Sequence, residues 1–440
     1  MRRHLSLVLG LVLLGAAAVP LAAQVPDSVL IRRALGLHRA VPMMDGHNDL
    51  PWKIRTNGHD DFTPTSLTRG IFEFDSLDIS RAQPSLMTDI PRMRAGGVGA
   101  QFWSNYVPNE YVAHDAARVT LEQMDLTHRL AERYPRDFVF ARTAADIVRA
   151  HQQGRIASLI GIEGGHAIEN SLGVLRMFYD AGARYMTLTH NTTLAWVDAS
   201  QDVQVHNGLT AFGREVVREM NRLGMLVDLS HTSDSVTVQA LRISEAPVIF
   251  SHSSARAIAD HVRNLSDDLL RMVPANGGVV LVNFNCGFVS RAMAVRANAR
   301  HAAVQEFRGR FLAANDTAGY RAALVAWDAA NPQPPRPTLS DVADHIDHIR
   351  QVAGIDHVGY GSDFDGIDCA PQGLEDVSRF PALTAELLRR GYSDDDVKKV
   401  IGLNLLRVMR QAEAAARRLQ QERGPSTATL YDLDSAVVRP

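Results

Sequence analysis

The sequence predicts an α/β chain folded as a (β/α)8 barrel of the TIM type with extra terminal helices, and two observations carry that prediction. Eight short apolar runs recur, mostly separated by segments whose apolar residues are spaced for a helix. Six of the runs also share an ending: His47 and Asp49, Glu163, His190, His231, His252 and Asp363 stand at or just past their C-terminal ends. In a barrel of parallel strands those ends form one mouth, the face on which such folds build their sites. An open doubly wound sheet would also set polar residues at strand ends, and it stays open as the alternative.

An opening helix is expected from Asp27 to His38, with Asp27 or Ser28 able to cap it. The first strand starts at Met43 and ends on His47 and Asp49. Residues i and i+2 of a strand face the same side, so this imidazole and carboxylate would meet at one point. The polar stretch to Ser80 reads as a loop over that point. Ser85 to Arg94 reads as a helix stopped by Gly96 and Gly97, and Val98 to Tyr106 as the second strand. Helical spacing from Glu110 to Tyr134 and from Thr143 to Gln153 leads into the third run, Ile156 to Ile162, which ends in Glu163-Gly-Gly-His166.

From there the alternation tightens. Ser171 to Ala181 precedes the strand Tyr185 to Thr189 and His190, and Gly208 to Leu223 precedes Met225 to Ser230 and His231. Ser233 to Ile243 precedes Pro247 to Ser251 and His252, and a helix from Ala255 to Met272 precedes Gly278 to Phe284. A long helical excursion, Arg291 to Trp327, and a stiff Pro-rich connector, Asn331 to Pro337, interrupt the pattern. The helix Leu339 to Val352 then leads to the last strand, His357 to Ser362, which ends at Asp363-Phe-Asp-Gly366. Helices from Pro381 to Arg390 and Ser393 to Arg410 close the domain.

The two ends differ from this body. Basic Arg2 and Arg3, an apolar run from Leu5 to Val19 and small residues at Ala22 and Ala23 read as a signal peptide over 1–23. The barrel domain is expected over 24–414 and a polar tail over 415–440, with no membrane anchor and an exported, periplasmic or secreted location. A net charge of −3 suggests no nucleic acid partner. Cys286 and Cys369 are the only cysteines; they could pair in an oxidising compartment, and the sequence does not decide it. Lysine occurs only at Lys53, Lys398 and Lys399. A homodimer is left open.

Three histidines, two aspartates and a glutamate at one mouth make the ligand set of a hydrolytic zinc site. The set is too large for one catalytic ion, which uses three protein ligands and a water, and suffices for two if a carboxylate bridges. Glu163 is the natural bridge, because it is the only glutamate at a strand end and Gly164-Gly165 leaves room beside it. His47, Asp49 and Glu163 would hold one ion, and Glu163, His231 and His252 the other. A water between them would become a hydroxide nucleophile near neutral pH. His166, His206 and His261 lie away from strand ends and read as structural, while Asp365 reads as a supporting partner or a turn residue.

The runs Asp45-Gly-His-Asn-Asp-Leu-Pro-Trp52, Ile162-Glu-Gly-Gly-His166, Leu188-Thr-His190, Asp228-Leu-Ser-His231, Phe250-Ser-His-Ser-Ser254 and Gly361-Ser-Asp-Phe-Asp-Gly366 resemble the membrane dipeptidase (renal dipeptidase) family, in order, from Met43 to Met409. The resemblance implies a metal-dependent hydrolase barrel with two zinc ions bridged by Glu163, acting on dipeptides. It implies the same five ligands, His47, Asp49, Glu163, His231 and His252. It adds His190 as the group that polarises the scissile carbonyl or steadies the oxyanion, and Asp363 as the contact for the substrate amino end and a proton carrier. Arg263, which the residues alone would place on a solvated helix, would hold the substrate carboxylate. Where the family pattern leads us to expect a substrate-contacting tyrosine, this chain has Phe288.

Two other readings compete. Other binuclear barrel amidohydrolases typically combine His-x-His with a carboxylated lysine, whereas here the pair is His47-x-Asp49 and no later strand end carries a lysine. A secreted binding protein that kept the fold but lost catalysis would be expected to lack a ligand, and none is missing.

Overall fold

The computed structural model describes residues 26–56, 77–112, 114–311, 314 and 316–435. The signal-peptide reading and most of the loop before Ser80 lie outside these residues. The strands are β1 (Met43–Asn48), β2 (Val98–Tyr106), β3 (Phe138–Phe140), β4 (Ile156–Glu163), β5 (Ala183–Thr187), β6 (Leu226–Asp228), β7 (Ile249–Phe250), β8 (Val279–Val282) and β9 (Val358–Tyr360). They lie in the order β2-β1-β9-β8-β7-β6-β5-β4-β3, and a further β2 to β4 pairing closes eight of them into a parallel barrel.

β3 is the one strand the apolar pattern does not reveal. Its three residues share the edge of β4 with β5, Phe138 facing Ile156 before β5 takes over at Ile160. A run so short carries no periodicity of its own.

The pleat sorts the strand residues into two sets. Met43, Ile160 and Val280 join the layer under the helices, while Met44, Leu159, Tyr185, Leu226 and Leu281 fill the lumen. Ile147 of the helix Ala144–Gln152, with Leu405 and Met409 of the helix Asn404–Glu422, completes the inner set. Burying each such side chain contributes roughly 1.5 to 3 kcal/mol. A Cβ on Gly161 would sit 2.0 Å from the Tyr185 ring, so glycine there makes room for a tyrosine inside the barrel.

Helix starts follow local chemistry. The side chains of Ser171, Ser233 and Ser393 each accept from the amide three residues on, as caps worth about 1 kcal/mol. One expected helix differs: the segment read as helical from Ala255 becomes helical only over Asp267–Asn276, with Ser266 as its cap. Residues 255–266 form a loop pinned by Asn264, whose Nδ2 donates to Ala259 O and Phe288 O, both at 2.8 Å. The excursion is two helices, Arg291–Phe311 and Thr317–Ala330, divided where Asp316 caps the second. The C-terminal helix runs to Glu422, beyond the expected Arg410, and Asp434 of the short helix Leu430–Asp434 accepts from Thr210 Oγ1 at 2.6 Å and Phe212 N at 2.9 Å. Among the described residues no helix is long and apolar enough to cross a membrane.

His38 ties the opening helix, Asp27–Ala40, to the barrel, with Nδ1 3.0 Å from Gly96 O and Nε2 2.9 Å from Thr384 Oγ1. Burial pushes its pKa down from 6.5 to about 4. Between those values the unfolded chain binds a proton that the folded one refuses, so stability is complete above pH 6.5 and falls as pH drops towards 4. The loss is on the order of 3 kcal/mol. Melting temperatures at pH 7 and pH 5 should therefore separate, and His38→Gln should narrow the gap; an unchanged gap would remove His38 as a cause.

Candidate active site

The C-terminal ends of the strands bring five predicted ligands to one place. Glu163, the last residue of β4, divides its carboxylate. Its Oε2 lies 3.5 Å from His47 Nε2 and accepts from Ser104 Oγ at 3.0 Å, while Oε1 lies 3.1 Å from His231 Nε2 and 3.4 Å from His252 Nε2. Asp49 Oδ2 is 3.3 Å from His47 Nε2, although Asp49 stands one residue past β1, at the start of the helix Leu50–Arg55, rather than in the strand that the i, i+2 reading assumes. Each ring is held from behind: His47 Nδ1 by Tyr185 OH at 2.8 Å, His231 Nδ1 by Asn191 Oδ1 at 2.9 Å, and His252 Nδ1 by Ser251 Oγ at 2.7 Å. All three Nε2 atoms are thereby aimed at the glutamate.

This donor set fits metal ions. His47 Nε2 is buried with no hydrogen-bond partner, and the Nε2 atoms of His231 and His252 face each other at 3.0 Å, where two lone pairs repel unless a cation or proton lies between them. Burial disfavours charge on His47, yet Tyr185, Glu163 and Asp49 hold its pKa well above the usual range. Burial likewise opposes ionisation of Glu163, but the charge on His47 and the close approach of the imidazoles of His231 and His252 hold its pKa well below the usual range. His231 and His252 are pushed well below, by burial first and then by charges including Arg263 and His47 respectively. Neutral imidazoles at His231 and His252 beside an ionised Glu163 are the protonation states that divalent ions require, and His47, held in its charged form by its carboxylate neighbours, would give up its proton to an ion.

Backbone geometry is committed to the site. His231, Asp363 and Asp365 have φ of 68°, 64° and 65°, a left-handed conformation that non-glycine residues adopt at some cost. Gly366 follows because nothing larger fits: a Cβ there would be 2.2 Å from Asp49 Oδ2 and 2.6 Å from Asp363 Oδ1.

Above the ligands lies a cavity of about 460 Å³, lined also by Trp52, Tyr106, His190, Arg263, Phe288 and Asp363. His190 stands further from the glutamate than the other imidazoles, with Nε2 3.9 Å from Glu163 Oε1. Burial lowers its pKa to about 4, so the ring is neutral near pH 7. Arg263 is buried, stacks on Phe288 with Cζ 5.1 Å from the ring centre, and donates only a long bond, 3.3 Å, to His252 O. Its Nε has no partner among the described residues, and burial lowers its pKa to about 10. Asp363 accepts from Asn283 Nδ2 at 2.8 Å, and burial, followed by the charge of Asp49, raises its pKa well above normal. Arg263 and Asp363 form no ion pair with each other; the amide of Asn283 reaches both Asp363 and, at 3.4 Å, His252 O, the carbonyl to which Arg263 also donates.

Asp365 supports the mouth by accepting from Met87 N at 2.7 Å. His166 and His206 bond to Val107 O and Leu194 O respectively, while His261 lies nearer the cavity than its sequence context suggests, its ring tilted against that of Phe288 with centres 4.6 Å apart. Tyr185, Asn191, Ser104 and Asn283 were not singled out from the sequence. Their side-chain types occur throughout the chain, and only the closed barrel brings them behind the ligands.

The profile of the family described as membrane dipeptidase, peptidase family M19, matches residues 31–423. The chain is 40% identical over 404 residues to dipeptidase verJ of Clonostachys rogersoniana, covering 89% of each. It is 40% identical over 395 residues to dipeptidase 3 of Rattus norvegicus, covering 88% of this chain and 68% of that one. The probable dipeptidase PvdM of Pseudomonas aeruginosa shares the fold, with a TM-score of 0.71 at 22% identity over 88% of this chain and 100% of that one. A metallopeptidase of Rhodobacter sphaeroides, solved with a phosphinate mimic of the dipeptide L-Ala-D-Ala, has a TM-score of 0.65 at 26% identity over 84% and 99%.

Proposed function

Because the chain belongs to the membrane dipeptidase family, peptidase family M19, we propose that it is a binuclear zinc dipeptidase that hydrolyses dipeptides with free amino and carboxyl ends. The observation that carries the reading is the divided carboxylate of Glu163, one oxygen towards His47 and the other towards His231 and His252. On this reading His47, Asp49 and Glu163 hold one ion and Glu163, His231 and His252 the other. Two such ions would supply Lewis acidity and lower the pKa of a water enough to yield hydroxide, the nucleophile for an amide, near neutral pH.

The remaining roles belong to the protein. Asp363, kept from ionising by burial and by Asp49, takes the substrate ammonium, which supplies the positive charge it lacks. Arg263, over the ring of Phe288, takes the substrate carboxylate with its guanidinium, whose Nε has no partner among the described residues. His190, neutral at working pH, donates a hydrogen bond to the scissile carbonyl oxygen as negative charge gathers there. Asp363 then carries the proton to the leaving amine. A dipeptide-like ligand in a relative supports a substrate of this length. We also propose export, on the basic start and apolar run of 1–23 and on the Cys286–Cys369 disulfide, which suits an oxidising compartment.

Elemental analysis of the purified protein should find two divalent ions per chain, with dipeptide hydrolysis lost on chelation and restored by zinc. A fully active preparation with a single ion would overturn the two-ion site. A folded, two-ion protein that cleaves no member of a dipeptide library would overturn the activity.

A further inference from the structure

The three imidazoles around Glu163 are not supported alike. Behind His47 stands a tyrosine and behind His231 an asparagine, but behind His252 the hydrogen bonds lead through Ser251 to a buried carboxylate, Asp228. We propose that Asp228 is a positioning residue: acting through the Ser251 hydroxyl, it fixes the tautomer of His252 and so the strength with which the His231–His252 half of the site holds its ion. This rests on the dipeptidase reading for the ion, and on hydrogen-bond geometry alone for the tautomer.

Counting donors makes the case. Asp228 accepts from Thr187 Oγ1 at 2.5 Å and Ser251 Oγ at 2.6 Å on one oxygen, and from Ser251 N at 2.9 Å and Ser230 N at 3.1 Å on the other. Two of these donors are amides that can do nothing but donate, and the two short hydroxyl bonds are of the charge-assisted kind. With four donors converging on it, Asp228 is an acceptor throughout. The single hydrogen of Ser251 is therefore spent on Asp228, and Ser251 Oγ can only accept from His252 Nδ1 at 2.7 Å. His252 must carry its hydrogen on Nδ1 and present a lone pair at Nε2, towards Glu163 and His231. The carboxylate reaches the metal ligand with one hydroxyl interposed, a longer version of the carboxylate-to-imidazole support common behind metal-bound histidines.

Asp228 also joins β5, β6 and β7 through Thr187 and Ser251, so a purely structural role must be told apart. Asp228→Asn does this. An amide keeps the shape but can donate to Ser251 Oγ, which would then turn its hydrogen towards His252 Nδ1 and force the proton onto Nε2, where the ion belongs. The analogous exchange behind a catalytic histidine acts through the wrong tautomer with geometry intact.

Nitrogen-15 NMR of histidine-labelled, metal-stripped protein should show His252 protonated at Nδ1 in the parent and at Nε2 in Asp228→Asn. Zinc affinity, measured by competition with a chromophoric chelator, should fall by about 10- to 100-fold in Asp228→Asn with its melting temperature little changed. If that variant does not fold, Ser251→Ala against Ser251→Thr replaces it: alanine should weaken zinc binding and threonine, which keeps the hydroxyl, should restore it. Parent-like tautomer and zinc affinity in folded Asp228→Asn, or equal affinity in the two Ser251 variants, would overturn the proposal. Failure of the parent itself to bind zinc would overturn the metal reading instead, and the tautomer would still decide the relay.

Discussion

His190→Ala should keep its full complement of metal and lose about 100- to 1000-fold in kcat, the usual cost of removing one donor from a developing oxyanion. The expectation rests on where the ring stands. Its Nε2 is 3.9 Å from Glu163, while the imidazoles of His47, His231 and His252 approach the same carboxylate to between 3.1 and 3.5 Å. Edge contact with Tyr106, ring centres 4.9 Å apart, and packing on His231 at 4.5 Å set its orientation without engaging its nitrogens. With a pKa near 4 it is neutral at working pH, so it offers a hydrogen bond without demanding a counter-charge. His190 could also complete a three-ligand set with Glu163 and His231. Metal content of the variant decides between the roles: an ion lost with the side chain would make His190 a ligand, whereas full metal and low turnover would leave it acting on the substrate.

The second large effect concerns the ends of the substrate. Blocking either end of a good dipeptide, by N-acetylation or C-amidation, or adding one residue should remove most of its kcat/KM. Asp363 and Arg263 are both buried and both line the cavity, and Asp363 accepts from Asn283 rather than from Arg263. A zwitterion satisfies both; C-amidation leaves the Arg263 guanidinium desolvated and unpaired, and N-acetylation removes the ammonium that favours ionised Asp363, each at about 1 to 3 kcal/mol or more, roughly ten- to a hundredfold in kcat/KM. A tripeptide moves its charges apart by about 3.5 Å, too far for an amide to stay over the ligands while both ends are held. Arg263→Ala should accordingly harm the free acid far more than the amide of the same dipeptide. Efficient cleavage of tripeptides or acetylated substrates would show that no such clamp exists.

Much of this architecture is legible in the amino-acid sequence, and what is not has a physical reason. Eight short apolar runs lead directly to eight barrel strands, and the six that end in His, Asp or Glu to a cluster of candidate ligands at their C-terminal ends, because strand direction alone decides which end of a run faces the mouth. Arg263 shows the limit. Ala255 to Leu265 contains enough alanine and leucine to read as a helix, yet the amide of Asn264 bonds to Ala259 and Phe288 across the fold, and the loop it makes turns a nominally exposed arginine inward. The supports of the imidazoles are equally hidden. Tyr185 is an ordinary strand residue until β5 is seen to place it inside the barrel with His47, and Ser251 acquires its meaning only from Asp228 on a neighbouring strand.

Cys286 and Cys369, whose pairing the sequence left undecided, form a disulfide between residues 83 apart. Asn285, Phe288 and Asp368, their near neighbours, line the cavity on either side of the joint. The two helices of the excursion, the helix Leu339–Ala353 and β9 all fall inside the ring that this bond closes. A protease that nicks the excursion would therefore produce two polypeptides that stay joined by sulfur at the rim of the cavity, and a single band that splits in two only after reduction. The wall that carries Phe288 is thus insured against a cut in the very segment that the barrel does not protect.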